Sequence, residues 1–201
     1  MVNLTSLALT TLLAATSLAA PTGTTGQPPN CQPRGPLRTI TASYDHLAYN
    51  EDAPIPIGTL KGLKYDNFYL DRDDGFIKPS SGKQVAHSYD GSQRRLISVA
   101  KPGDAFDLKS LHLACVQGYP QNDCSVRIKG LAADGVTWMA KGVTFPKLDN
   151  TKPRFEMMKV EFDQNWKNLK SIEFEYAKID GTGDYTGLEI DDLVYAKRNC
   201  N

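Results

Sequence analysis

From residue 39 onward the chain alternates apolar and polar residues with a period of two, in short runs cut by turn signals. A period of two places one set of side chains on each face of an extended segment, so the pattern predicts β structure. The runs are Thr39–Tyr44, Tyr65–Leu70, Leu96–Val99, Phe106–Cys115, Ser125–Ala132, Val136–Phe145, Phe155–Phe162, Ser171–Ala177 and Leu188–Ala196. The clearest is Ser171–Ala177, where Ile172, Phe174 and Tyr176 would face a core and Glu173 and Glu175 the solvent. Pro102-Gly103 ends one run, and Asp134-Gly135 marks a tight hairpin before Val136, because Asp and Gly tolerate the positive φ such turns require. The best helical candidate is one or two turns at Asp163–Leu169, with Asp163 as the cap. About nine strands with no long helix predict an all-β fold, an antiparallel β-sandwich of the jelly-roll kind.

The segment before these runs has a different pattern. Residues 1–19 carry no charged side chain, hold the apolar stretch Leu7–Ala15, and end in the small residues Ser17 and Ala19. This predicts a secretory signal peptide cleaved after Ala19, since a spanning helix needs about 20 strongly apolar residues. Residues 20–38 are rich in Pro, Gly and Thr and read as a linker. The β domain is expected over 39–201, extracellular and monomeric. An oxidising compartment turns the four cysteines into a disulfide framework. Of the possible pairings we expect Cys115–Cys124, joined across the turn-rich Gly118–Asp123, and Cys31–Cys200, clasping the two ends of the domain. The second bond requires the first and last strands to be neighbours.

Charge narrows the function. Lys+Arg and Asp+Glu both number 23, so the net charge is zero, which argues against nucleic acid as a partner. No GxSxG, HExxH or Walker loop is present, and His46, His87 and His112 are far apart in sequence. No catalytic residue is assigned. Glu189-Ile190-Asp191 resembles half of a sandwich-glycosidase carboxylate pattern, but its continuation is Leu193 where a second Glu would be needed. The carboxylates Asp180, Asp184, Glu189, Asp191 and Asp192 are concentrated in one stretch. Hard oxygen ligands of this kind could hold a structural Ca²⁺. Asp45, Asp191 and Asp192 are the expected ligands if the first and last strands adjoin. Asp71-Arg72-Asp73-Asp74-Gly75 is a second, off-pattern candidate. Tyr89, Tyr119, Trp138, Trp166 and Tyr185 are candidates for stacking against the apolar face of a sugar, each weighed against ordinary core packing.

Four blocks carry a resemblance: Tyr44-Asp45-His46-Leu47, Gly62–Phe68, Phe106-Asp107-Leu108-Lys109-Ser110 and Ile190-Asp191-Asp192-Leu193. Over about residues 39–196 the chain resembles small secreted fungal proteins with a galactose-binding-like or carbohydrate-binding-module jelly roll. The resemblance implies an extracellular β module and transfers no catalytic residue. The expected function is a secreted, non-catalytic module that binds a cell-wall or host glycan. The alternative is an effector or surface protein that binds a protein partner, and a polysaccharide-active enzyme comes third.

Overall fold

The computed structural model describes residues 37–73, 75–89, 93–116, 123–145, 154–179 and 186–198. The expected signal peptide, most of the linker, the Cys31–Cys200 bond, and Tyr119, Asp180, Asp184 and Tyr185 lie outside the described residues.

Among the described residues the fold is all-β with no helix. Its strands are β1 (Arg38–Ala42), β2 (Ile55–Leu60), β3 (Leu63–Arg72), β4 (Ile77–Lys78), β5 (Gln84–Ser88), β6 (Arg95–Val99) and β7 (Ala105–Val116), followed by β8 (Cys124–Ala132), β9 (Trp138–Phe145), β10 (Phe155–Glu156), β11 (Met158–Glu161), β12 (Leu169–Ile179) and β13 (Gly187–Arg198). Every predicted run is a strand, although Phe155–Phe162 is interrupted at Met157 into β10 and β11. The expected helical turn at 163–169 is instead a tight turn, in which Asp163 Oδ1 accepts from the Asn165 N–H at 2.8 Å. The Asp134-Gly135 signal does mark a hairpin. Asp134 Oδ1 accepts from the N–H groups of Val136 and Thr137, both at 2.9 Å, and Gly135 has φ +77°.

The all-β expectation holds, but the two-sheet jelly-roll sandwich does not describe the observed architecture. The main strands do not separate into two sheets. Pairing runs β7–β13–β5–β3–β6–β12 and returns to β7 through Leu169↔Phe106, closing a six-strand barrel. The remaining strands extend it: β11 flanks β7, β8 and β9 flank β12, β1 flanks β13 and β2 flanks β3. Every pairing in this sheet is antiparallel.

Apolar side chains of the circuit converge on one core that includes Tyr44, Leu63, Phe68, Ile97, Phe106 and Phe174. Strand β3 shows how the chain meets that demand. Leu63 and Tyr65 face inward, yet so do Phe68 and Leu70, which a strict period of two would place on the opposite face. Asn67, at φ +60°, absorbs the extra residue, and its side-chain amide donates to the Arg94 carbonyl at 2.5 Å. On β12, Ile172 and Phe174 are buried as expected. Outside the barrel, Arg94 pairs with Glu173 at 3.0 Å and Arg127 with Glu175 at 3.2 Å.

Three further constraints complete the frame. The disulfide Cys115–Cys124 joins β7 to β8, with both cysteines buried. At the seam closed by Leu169↔Phe106, Asp107 accepts from Arg198 Nε at 2.7 Å, from the second Arg198 nitrogen at 2.8 Å, and from the Asn168 N–H at 2.8 Å. A second, smaller core of Ile77, Val85, Ala114 and Met157 lies on the outer face, where β4 pairs with β10.

Candidate functional site

Two polar clusters arise from the way β13 is paired. One edge of β13 is shared by two strands lying end to end: β5 beside Leu188–Ile190 and β1 beside Leu193–Lys197. Asp191 and Asp192 fall in the gap between them, at a register shift where Asp192 has φ +44°. First and last strands are therefore neighbours, and the three acids named from sequence do meet. The loop Ser80–Lys83 threads among them. Asp191 Oδ2 accepts from the Ser81 N–H at 2.8 Å, and Asp45 Oδ1 accepts from the N–H groups of Lys83 at 2.6 Å and Gln84 at 3.1 Å.

The Ser81 hydroxyl lies 3.0 Å from Asp192 Oδ1, 3.2 Å from Asp191 Oδ2 and 3.5 Å from Asp45 Oδ2. One hydroxyl proton serves one acceptor well, and the Ser80 hydroxyl supplies a second, 2.7 Å from Asp192 Oδ2 and 3.1 Å from Asp191 Oδ2. Burial, and then the charge of Asp192, raise the Asp191 carboxyl above its ordinary range. Gly82 has φ +49°, and a Cβ there would come within 1.9 Å of Asp45 Oδ1. The donors of the loop balance this charge in the structure. By ligand type the same oxygens also suit a hard divalent cation.

The second cluster was not read from sequence. Tyr69, His87 and Glu189 lie directly opposite one another across β3, β5 and β13. They share the outer face with Val85 and Ala114, next to the small outer core, and that packing buries His87 and Glu189. Asp71, two residues after Tyr69 on β3, joins them. His87 Nδ1 lies 3.1 Å from Asp71 Oδ2 and 3.4 Å from Glu189 Oε1.

Burial alone would lower the imidazole pKa, but the two carboxylates outweigh it and hold it at about 9. Asp71 shows the complementary effect. Its burial would raise the carboxyl, while His87 and the Arg72 N–H together bring it below its ordinary value. Tyr89 roofs the cluster. Its ring stacks on His87 with centroids 4.1 Å apart, and its hydroxyl donates to Asp71 Oδ2 at 3.2 Å. Burial, and then the charge of Asp71, push the Tyr89 phenol up to about 12, so it stays neutral.

Tyr89 is 50% exposed and forms one wall of a cavity of about 360 Å³ lined by Pro54, Asn67, Tyr69, Ser88, Tyr89 and Gln93. The other expected aromatics are placed differently. Trp138 is 44% exposed on strand β9, with Lys129 Nζ 4.8 Å from its ring centroid. Trp166 is a correction: it is only 4% exposed, and its ring packs on Phe162 at 4.6 Å and over Gly130, so it offers no stacking face. Of the Glu189–Asp191 pair, Glu189 faces His87 while Asp191 faces Ser80 and Ser81. The two carboxylates serve separate clusters. Asp73, in the off-pattern acidic run, is paired with Arg154 and accepts from the Gly75 N–H.

Sequence spacing carried no signal for the Asp71–His87–Glu189 cluster, because its members come from three strands brought together only by the barrel. No protein-family model matches the chain, and no curated protein matches it. Among solved structures it is similar to a DUF4465-family protein from Bacteroides caccae, with a TM-score of 0.49 and 12% identity over 79% of this chain and 98% of that one.

Proposed function

We propose that the protein is a secreted, non-catalytic module that binds a cell-wall or host glycan in the Tyr89 cavity. The observation that carries this reading is the fixed orientation of Tyr89, an exposed ring held from below by His87 and at its hydroxyl by Asp71. A ring already held in place loses little entropy when a sugar's apolar face stacks on it. Asn67 and Gln93 line the same cavity with side-chain amides, groups of the kind that pair with sugar hydroxyls. The cavity volume suits a small ligand, for which sites of about 300–1,000 Å³ are usual. The expected signal peptide and the disulfide Cys115–Cys124 are compatible with an extracellular protein, which we read as a monomer. Asp45, Asp191 and Asp192 would hold a structural Ca²⁺ that pins the Ser80–Lys83 loop.

A specific feature favours the protein-binding alternative. The β8–β9 hairpin exposes Val136 and Trp138, two apolar side chains at one tip. One experiment separates the readings: a glycan array with insoluble-polysaccharide pulldown, using wild type, Tyr89→Ala and Trp138→Ala. The glycan reading expects retention that falls at least about fivefold in Tyr89→Ala, matching the loss of about 1–3 kcal/mol when an aromatic that stacks on a ring is removed. Failure of the wild type to bind any polymer would overturn it.

A further inference from the structure

We propose that Asp71, His87 and Glu189 form a binding site for a first-row divalent metal ion of the zinc class. The inference does not rest on the glycan reading, although the cluster lies directly beneath the Tyr89 ring, and its residues are distinct from Asp45, Asp191 and Asp192. It begins with the ligand atoms. Nδ1 of His87, Oδ2 of Asp71 and Oε1 of Glu189 lie at 3.1 and 3.4 Å from the imidazole nitrogen to the two oxygens, and all three fall within 4.8 Å of one another. Metal–ligand bonds of about 2.0–2.2 Å place neighbouring ligands about 3.0–3.5 Å apart, whether the angle is square or tetrahedral. The separations from the imidazole nitrogen are those of donors around one ion, and the two carboxylate oxygens, within 4.8 Å of each other, would close on it by small side-chain rotations.

The second observation is the state of His87 Nδ1. The side chain is more than nine-tenths buried, yet this nitrogen makes no hydrogen bond of acceptable geometry despite two carboxylates nearby. A buried polar atom without an aligned partner is uncommon and calls for a physical reason. A nitrogen that points between two carboxylates is aligned for a shared ion, which takes the place of the Nδ1 proton and releases it to solvent on binding.

The surroundings also fix the ligands. The Arg72 N–H donates to Asp71 Oδ1 at 2.7 Å, which orients the carboxylate and turns Oδ2 toward the imidazole. The Tyr89 hydroxyl donates to that same Oδ2 from outside. Supporting contacts of this kind hold metal ligands in place. Gly187 makes room on the far side of the ring, since a Cβ there would lie 3.2 Å from Nε2. One imidazole with two carboxylates favours zinc or a similar borderline ion over calcium, which takes oxygen ligands.

The test uses the intact protein stripped of metal. Calorimetric titration with Zn²⁺ should give one saturable site and a raised melting midpoint. In His87→Gln and in Glu189→Gln the affinity should fall by well over about tenfold, judged against the losses that even supporting residues produce. His46→Gln, at an exposed histidine, should bind as wild type does. Because the cluster variants could unfold, nitrogen NMR of wild type provides a second readout: Zn²⁺ should shift the His87 Nδ1 resonance. Three results would overturn the proposal: no saturable binding, undiminished binding in a folded His87→Gln, or Zn²⁺ shifting His46 or His112 while leaving His87 unchanged.

Discussion

Raising the pH from about 6 to about 9.5 should weaken the metal-stripped protein through one group, His87. Its imidazole is held at about 9 against an ordinary 6.5, because the folded chain places a cation between Asp71 and Glu189. A group whose folded pKa exceeds its unfolded value stabilises the fold while protonated in both states. The contribution is thus complete below about pH 6.5 and disappears as pH rises through about 9. The separation corresponds to roughly 3 kcal/mol, with little solvent screening because the imidazole is buried. The other titratable groups facing it are Asp71 from β3, Glu189 from β13 and Tyr89 after β5. Asp71, held below its ordinary value, stays ionised in this window, and the Tyr89 phenol, pushed up to about 12, stays neutral. Urea unfolding at half-unit pH steps, on wild type and His87→Gln with chelator present, isolates the contribution of the His87 imidazolium. The stability difference should be largest near pH 6 and fall by most of that amount by pH 9.5. A difference that stays flat, or grows with pH, would refute the imidazolium clamp.

Two further outcomes follow from other parts of the frame. Asp107→Ala removes the acceptor of the Arg198 fork and of the Asn168 N–H. Since Arg198 retains some solvent contact, the loss should be about 2–4 kcal/mol by urea unfolding, below the cost of breaking a fully buried pair; a loss under about 1 kcal/mol would show that the seam does not depend on it. If Asp45, Asp191 and Asp192 hold calcium, saturating Ca²⁺ at a hundred times its dissociation constant should stabilise the intact protein by about 2.7 kcal/mol, and chelator should reverse the rise in melting midpoint. Asp191→Asn should not respond, and an unchanged wild-type midpoint removes the calcium.

Long strands were legible where one face is apolar throughout. In β12 the glutamates alternate with Ile172 and Phe174, and the structure keeps that order. The Cys115–Cys124 bond and the meeting of Asp45 with Asp191 and Asp192 were likewise readable, because each follows from local turn chemistry or from neighbouring end strands. The missed elements have physical causes. β2 contains Pro56, which disfavours a central strand, but β2 pairs only with β3 and its other edge makes no ladder among the described residues. β5 is five residues long and carries Ala and His in place of a β-branched run, so its identity depends on the two strands beside it. Trp166 sits in a turn, where a large aromatic suggested exposure, yet Gly130 leaves a hollow that its ring fills. His87 was legible only as an isolated histidine, since its partners are set by strand register and not by spacing.

The pairing of β1 with β13 has an architectural consequence. Arg38 lies opposite Lys197, so the chain enters and leaves the barrel through adjacent strands, about 5 Å apart across one ladder. A unit whose two ends emerge together can be spliced into a surface loop of another protein without prising that loop apart. The barrel is therefore suited to being carried as an insertion within a larger chain as well as at the end of one. A second copy could be strung beside the first by a short connector, multiplying weak contacts into strong attachment without altering either barrel.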